Sequence, residues 1–232
     1  PCAADYSTYL DALNIIESYR LQELIPASVM NHLKQGVAGQ KPETLKDTDL
    51  VSARVSNHVI ATAYKSLEAA ANFVRDHGYE PVVLGDTITG EAQEVGAAQA
   101  QLARKYLAKM DAADKPLALI SGGECTVTIP AGTKGRGGRC SEYLLSLFAA
   151  SADLPKMAAL AADTDGIDGS EKNAGAWFDG GIRRLAKTNG AEPAKYLEAH
   201  DCYGFFAQLG ALVETGPTLT NVNDFRIILL DK

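Results

Sequence analysis

Six of the chain's 21 glycines fall between Gly122 and Gly138, and two arginines, Arg136 and Arg139, stand in the run Gly135-Arg136-Gly137-Gly138-Arg139. Glycine permits φ > 0 and close approach of a ligand to the backbone. Successive backbone N–H groups form nests for phosphate or carboxylate oxygens. Gly122, Gly123 and Glu124 follow the apolar segment PLALI as part of SGGECT, and this double glycine reads equally as a tight strand-to-strand turn. Gly137 and Gly138 immediately precede an apolar helical segment, which puts their amides near a helix N-terminus with its free donors and partial positive charge. Arginine at that end disfavours the helix by roughly 0.3–1 kcal/mol. An anion held between Arg136 and Arg139 removes the conflict; a solvated surface loop is the other reading.

A second group is DTDGIDG, with Asp163, Asp165 and Asp168 interleaved with Gly166 and Gly169. Closely spaced carboxylates repel unless a cation or hydrogen-bond donors stand between them. The segment lacks the distal glutamate of an EF-hand loop. Magnesium needs only one or two carboxylates plus substrate phosphate oxygens, and Asp163 and Asp165 are the candidates to hold it. Asp168 or Ser170 reads as a turn or cap residue. A third group, TGPTLTNVND, carries Thr215, Thr218, Thr220, Asn221, Asn223 and Asp224. It can close on a polar ligand, or it can satisfy its own backbone through Asx and ST turns.

Other chemistries lack their motifs. His32, His58, His77 and His200 share no metal-ligand spacing and read as structural, and Trp177, Phe205 and Phe206 read as packing residues. There is no nucleophile elbow, no H-E-x-x-H and no P-loop. No good G-x-G-x-x-G opens a strand–helix unit. Cys2, Cys125, Cys140 and Cys202 form no C-x-x-C pair, so they read as reduced thiols of a cytoplasmic protein.

The elements that must position these groups alternate between short apolar strands and helices. STYLDALNIIESYR, capped by Ser7 or Thr8, and PASVMNHLKQG, ended by Gly36, are expected helices, followed by a polar linker over residues 37–50. Val55 to Thr62 reads as a strand, YKSLEAAANFVRDHG as a helix, EPVVLG as a strand and TGEAQEVGAAQAQLARKYLAKM as a long helix. PLALISGG and ECTVTIPAG read as β, GGRCSEYLLSLFAAS as a helix and KMAALAADTDG as a strand entering a loop. A helical stretch from about Asn173 to Lys187, the short helices PAKYLEAH and CYGFFAQLG, and a last strand DFRIILLD complete the chain. Unbroken apolar strands alternating with helices predict a mostly parallel sheet with helices on both faces. In such sheets ligands bind outside the carboxyl ends of the strands. SGGECT, GTKGRGGR and DTDGIDG all fall at such ends, with TGPTLTNVND before the last strand.

Composition sets the outer bounds. The chain has 232 residues, 46% of them hydrophobic and 22% charged, which suits one large domain, or one domain plus part of another, with a real core. Its formal net charge is −7, which argues against nucleic acid as a partner. No apolar run reaches membrane-spanning length, and PCAADYST has the features of no signal peptide.

The loops, taken in order, resemble a known family. SGGECTV, GRGGRCSEYLLSL, ALAADTDGIDGSEKNAGAWFD and TGPTLTNVND are similar to the MOFRL domain of glycerate 2-kinases, a family also labelled as hydroxypyruvate reductases. The likeness runs from about Pro116 to Leu230, and STYLDALNIIESY and the segment from NHVIAT to DTITGEAQEVG extend it over nearly the whole chain. It implies a Rossmann-like α/β domain over about residues 46–232, containing the MOFRL region, after a helical tail over residues 1–45. It implies ATP-dependent phosphorylation of D-glycerate to 2-phosphoglycerate, with Mg²⁺. Gly122, Gly123, Glu124, Arg136, Gly137, Gly138 and Thr164 then face phosphates or nucleotide. Asp163 and Asp165 face the metal, Arg139 and Asp165 act in catalysis, and Thr218, Asn221 and Asn223 face the substrate.

Two departures stand out. Where the family continues GRGGR with Asn-Gln-Glu, this chain has Cys140, Ser141 and Glu142. The family is also longer on its N-terminal side, where it carries a further glycine-rich loop and a lysine. The chain is therefore expected to be a C-terminal half, with a partner supplying the N-terminal half, and a second copy of itself as another expected partner. The competing expectations are an NAD(P)-dependent hydroxypyruvate reductase and a non-catalytic nucleotide-binding fragment.

Overall fold

The computed structural model describes residues 3–52, 56–111 and 114–232. These fall into two compact units that meet in the sequence at Ile60 and Ala61. The first contains α1 (Tyr9–Ser18), α2 (Ala27–Val37) and the short α3 (Asp47–Ser52). Thr8 begins α1 through a capping box: its hydroxyl accepts from the Asp11 N–H at 3.2 Å, and Asp11 accepts from the Thr8 N–H at 2.8 Å. Gly36 does not stop α2, which runs on through Val37. It leaves room for the Tyr9 ring, which a Cβ there would meet at 2.2 Å.

The second unit contains α4 (Ala63–Asp76), β1 (Glu80–Glu91), α5 (Ala92–Leu107), β2 (Leu117–Thr126), α6 (Arg139–Ala150), β3 (Met157–Asp163), β4 (Gly175–Phe178), α7 (Gly180–Thr188), α8 (Pro193–Glu198), α9 (Cys202–Ala207), β5 (Leu212–Val213) and β6 (Asp224–Leu230). The six strands form one sheet in the order β1-β2-β6-β3-β4-β5.

The α/β class is as expected, but the sheet is mixed. Only β1 and β2 pair in parallel; β6 runs antiparallel between β2 and β3, and the β3–β4 and β4–β5 pairs are antiparallel too. For β3 and β4 the reason is in the connection: no helix lies between them, so the chain returns without the crossover that a parallel pairing requires.

Three further expectations change. Residues 56–62 form no strand: they are extended coil, with Val59 and Ile60 exposed, while Val55 lies outside the described residues. The expected helix from Asn173 begins only at Gly180, because Gly175–Phe178 pairs with β3 as β4. Its helical pattern, Ile182 and Ala186 on the buried side, belongs to α7 alone. SGGECT is no loop after a strand, since β2 continues to Thr126, paired with β6 as far as Gly123 and with β1 as far as Thr126.

α6 is the central helix, with every residue from Cys140 to Phe148 buried, as expected of a helix that is apolar almost all round. α5 lies against it through a small-residue face of Ala92, Gly96, Ala100 and Ala103. A Cβ at Gly96 would stand 2.4 Å from the Tyr143 carbonyl oxygen, so the glycine sets the helix spacing. The opposite sheet face carries α4, whose Leu67, Ala71 and Val74 pack on Ala118 and Ile120 of β2. Among the described residues no helix is long and apolar enough to cross a membrane.

Candidate functional site

β2 and β3 end, and β6 begins, at one edge of the sheet. The register sets Asp224 opposite both Gly123 and Asp163. Arg139, the first residue of α6, reaches into this edge. Its Nε donates to Asp224 Oδ1 at 2.7 Å and its Nη2 to Asp163 Oδ2 at 2.6 Å, while Nη1 stands 3.6 Å from Glu124 Oε1. Burial opposes its charge, but the hydrogen bond and charge of Asp224, with the charge of Asp163, outweigh burial and hold its proton more firmly than usual. Asp163 itself is pushed up by burial and by the charges of Asp165 and Asp224, against the Asp165 amide and Arg139.

Behind Asp224 lies a second guanidinium that sequence reasoning missed. Arg226 is only 1% exposed. Its Nη2 donates to Asp224 Oδ2 at 2.6 Å and lies 3.1 Å from Cys125 Sγ, and the group sits 5.0 Å from the Tyr143 ring centre. The Asp224 carboxylate is thereby held from both sides. The signal was present in DFRIILLD: an arginine in an apolar strand must be buried with a partner or point outward. The i, i+2 spacing to Asp224 places both on one face.

The helix N-terminus is already occupied. Asp168 Oδ1 accepts from the Cys140 N–H at 2.9 Å, and Oδ2 accepts from the Ser141 N–H at 2.8 Å and the Ser141 hydroxyl at 2.5 Å. The expected anion at this end is therefore a carboxylate of the chain itself, and the cap reading of Asp168 describes its place. Gly138 makes this approach possible, since a Cβ there would lie 2.3 Å from Asp168 Oδ1. Arg136 does not pair with Arg139 around a common anion: its guanidinium lies 4.7 Å from the Tyr203 ring centre, and its Nε is 4.0 Å from Asp201. Gly122 and Gly123 are buried within β2. Gly123 (φ +127) lets β1 come close, since a Cβ there would be 2.1 Å from the Ile88 carbonyl oxygen.

The DTDGIDG and TGPTLTNVND segments are joined to each other. The Thr164 hydroxyl donates to the Asn223 carbonyl at 2.7 Å and accepts from the Val222 N–H at 2.9 Å. Thr218 donates its hydroxyl to the Thr164 carbonyl at 2.5 Å and its N–H to the Asp165 carbonyl at 2.9 Å. Asn221 accepts from the Asn223 N–H at 3.0 Å and approaches Asp165 Oδ2 at 3.5 Å. Asp165 Oδ1 accepts from the Ile167 N–H at 2.8 Å. Among the described residues no three His, Cys, Asp or Glu side chains form a metal-binding group.

A further cluster lies beside Arg139 in the first turn of α6. Glu142, 3% exposed, accepts from Gln93 at 2.7 Å, contacts His200 Nδ1 at 2.8 Å and accepts from the Cys202 thiol at 3.2 Å. Burial, followed by the Glu142 charge and hydrogen bond, raises the Cys202 thiol far above its ordinary value. Glu142 and His200 border a cleft of about 260 Å³ that Gly137, Gly138 and Arg139 also line. The sequence clue was a lone glutamate in the otherwise apolar helix of α6.

Residues 117–224 match the MOFRL family. Over 99% of its length the chain is 41% identical to a protein of Agrobacterium vitis named "Putative hydroxypyruvate reductase", of which it covers 57%. It is 35% identical to the glycerate 2-kinase of Pyrococcus horikoshii over 99% of its own length and 51% of that protein's. The crystal structure of glycerate kinase from Thermotoga maritima superposes with a TM-score of 0.78 at 33% identity, covering 98% of this chain and 51% of that one. The chain thus spans about half the length of the relatives it matches.

Proposed function

We propose that the chain, which matches the MOFRL family over residues 117–224 and is similar to glycerate 2-kinases, is the phosphate-handling half of an ATP-dependent D-glycerate 2-kinase. The observation that carries the reading is Arg139, held at the sheet edge by Asp163 and Asp224 where three separate loops meet. Phosphoryl transfer needs positioning and charge neutralisation more than covalent chemistry. Asp163 and Asp224 fix two edges of the guanidinium. Its third corner, Nη1, has only the longer contact with the half-exposed Glu124. That corner is the one free to take a phosphoryl oxygen as charge develops, which is the role assigned to Arg139.

The residues fit a magnesium ion in one way. Both Asp163 oxygens are already engaged, by Arg139 and by the Asp165 N–H, so Asp163 serves as the arginine's anchor. Asp165 keeps Oδ2 with only the long Asn221 contact and is the residue that would hold the ion together with phosphate oxygens, where the ion supplies charge neutralisation. Thr164 and the linked Thr218, Asn221 and Asn223 shape the loop that closes over the acceptor. The Gly137-Gly138 amides and Arg136 remain assigned to the nucleotide side, where Arg136 is exposed on the Tyr203 ring. Buried free thiols at Cys125, Cys140 and Cys202 suit a reducing compartment, and we place the protein in the cytoplasm. The part of the relatives' length that this chain does not span is its proposed partner, supplied by a continuous or a separate polypeptide.

The test is phosphorus NMR of the intact protein with Mg-ATP and D-glycerate, expected to show 2-phosphoglycerate. Arg139→Ala is expected to lower kcat by on the order of 10²–10³. Oxidation of NADH by hydroxypyruvate without phosphoryl transfer would replace this reading with the reductase named among its relatives.

A further inference from the structure

We propose that His200 is the base that takes the proton from the acceptor hydroxyl; this deepens the kinase reading and rests on it. Glu142 is buried, and its Oε1 lies 2.8 Å from His200 Nδ1. A carboxylate only accepts, so this contact places a proton on Nδ1 and leaves the lone pair of a neutral ring on Nε2. Glu142 is itself fixed by Gln93 at 2.7 Å and by the Cys202 thiol at 3.2 Å. Among the described residues no side chain or backbone group pairs with Nε2. The ring borders two clefts, of about 260 and 220 Å³. The larger one is shared with Gly137, Gly138 and Arg139, so His200 and Arg139 border the same space. The carboxylates facing the ring are Glu142 and, from the end of β1, Glu91, whose own oxygens are held by Thr126 and Thr128.

The chain also spends conformational freedom to hold the ring there. His200 has φ 51, in the left-handed region that favours glycine. The loop carrying Gly135 is pressed against it so closely that a Cβ on Gly135 would lie 2.0 Å from the Ala199 carbonyl oxygen. The step balances simply. The acceptor O–H proton passes to Nε2 as the acceptor oxygen bonds to the γ-phosphorus; the bond from that phosphorus to the β–γ bridging oxygen breaks, and the nucleoside diphosphate leaves with its electron pair.

The left-handed backbone makes a clean test possible, because glycine fits this position without strain. His200→Gly in the intact protein should lower kcat with glycerate by roughly 10²–10⁴, the usual range for a general base, with KM for ATP unchanged. Added imidazole should restore part of the lost kcat. Long-range proton–nitrogen NMR of the parent should show hydrogen on Nδ1 and none on Nε2. The proposal is overturned if the glycine variant keeps kcat within about threefold, if imidazole restores nothing to a variant of unchanged melting temperature, or if Nε2 carries the proton in the neutral ring. His200→Gln serves as the second variant should the glycine protein fail to fold. A parent that transfers no phosphoryl group would instead overturn the kinase reading and this assignment with it.

Discussion

Asp224 accepts from two guanidinium groups at once, Arg139 at 2.7 Å and Arg226 at 2.6 Å. These two contacts differ in kind. Arg226 is fully buried, so removing it strands Asp224 with one partner, and breaking such a pair costs about 3–5 kcal/mol. Arg226→Leu should therefore appear mainly as lost stability in urea unfolding, whereas Arg139→Ala should appear mainly as lost turnover. A variant at Arg226 that melts like the parent would show that the pair is not holding the edge together. Asp168 carries a pH prediction. Burial raises its pKa above the ordinary 3.8, against the hydrogen bonds from Ser141 and the Cys140 amide. The folded state then binds the proton more tightly than the unfolded chain. Its contribution to stability is greatest below pH 3.8 and is lost as pH rises through the raised value. Asp168→Asn should flatten that part of the stability profile, measured as urea midpoints across mildly acidic pH. A profile identical to the parent's would remove the assignment.

At the scale of elements, the packing of α5 on α6 decides where Arg139 and Glu142 sit, because both stand in the first turn of α6. Gly96 leaves space for the Tyr143 carbonyl and no more. Gly96→Val should force the helices apart and destabilise by roughly 1–3 kcal/mol, with kcat falling further than binding if the arginine moves with the helix. Differential scanning calorimetry beside steady-state kinetics reads both. The loops behave as one element as well: Thr164 is the pin between the DTDGIDG and TGPTLTNVND segments, accepting and donating at 2.9 and 2.7 Å. The helix and strand pattern of most elements was legible from apolar spacing. Gly175–Phe178 was not, because a four-residue strand has too few positions to establish a period of two beside the helical pattern of α7. Residues 56–62 failed for the opposite reason: the short apolar run Val59-Ile60 resembled a strand, but no neighbour pairs with it in the structure.

For the whole molecule, one consequence follows from length. The chain spans about half of relatives such as the Pyrococcus glycerate 2-kinase. If the remainder completes the site, native mass spectrometry of the protein from its source should show a larger polypeptide or a second one beside this chain. Full kinase activity from this chain alone, at its own mass of 24.6 kDa, would sink that expectation.

Read alone, the residues determined the α/β class, the order of most elements and the likeness to the MOFRL family. These properties are written in short stretches, where periodicity, caps and turn residues act on near neighbours. Only the tertiary structure decided which groups meet. Arg139 finds Asp224 across 85 residues, Glu142 finds His200 across 58, and Asp168 reaches the α6 N-terminus across 27. The first of these meetings depends on β6 entering antiparallel between β2 and β3, a choice made by the packing of the whole sheet. A buried charge takes whichever partner that packing brings within reach, and no local pattern records which one it will be.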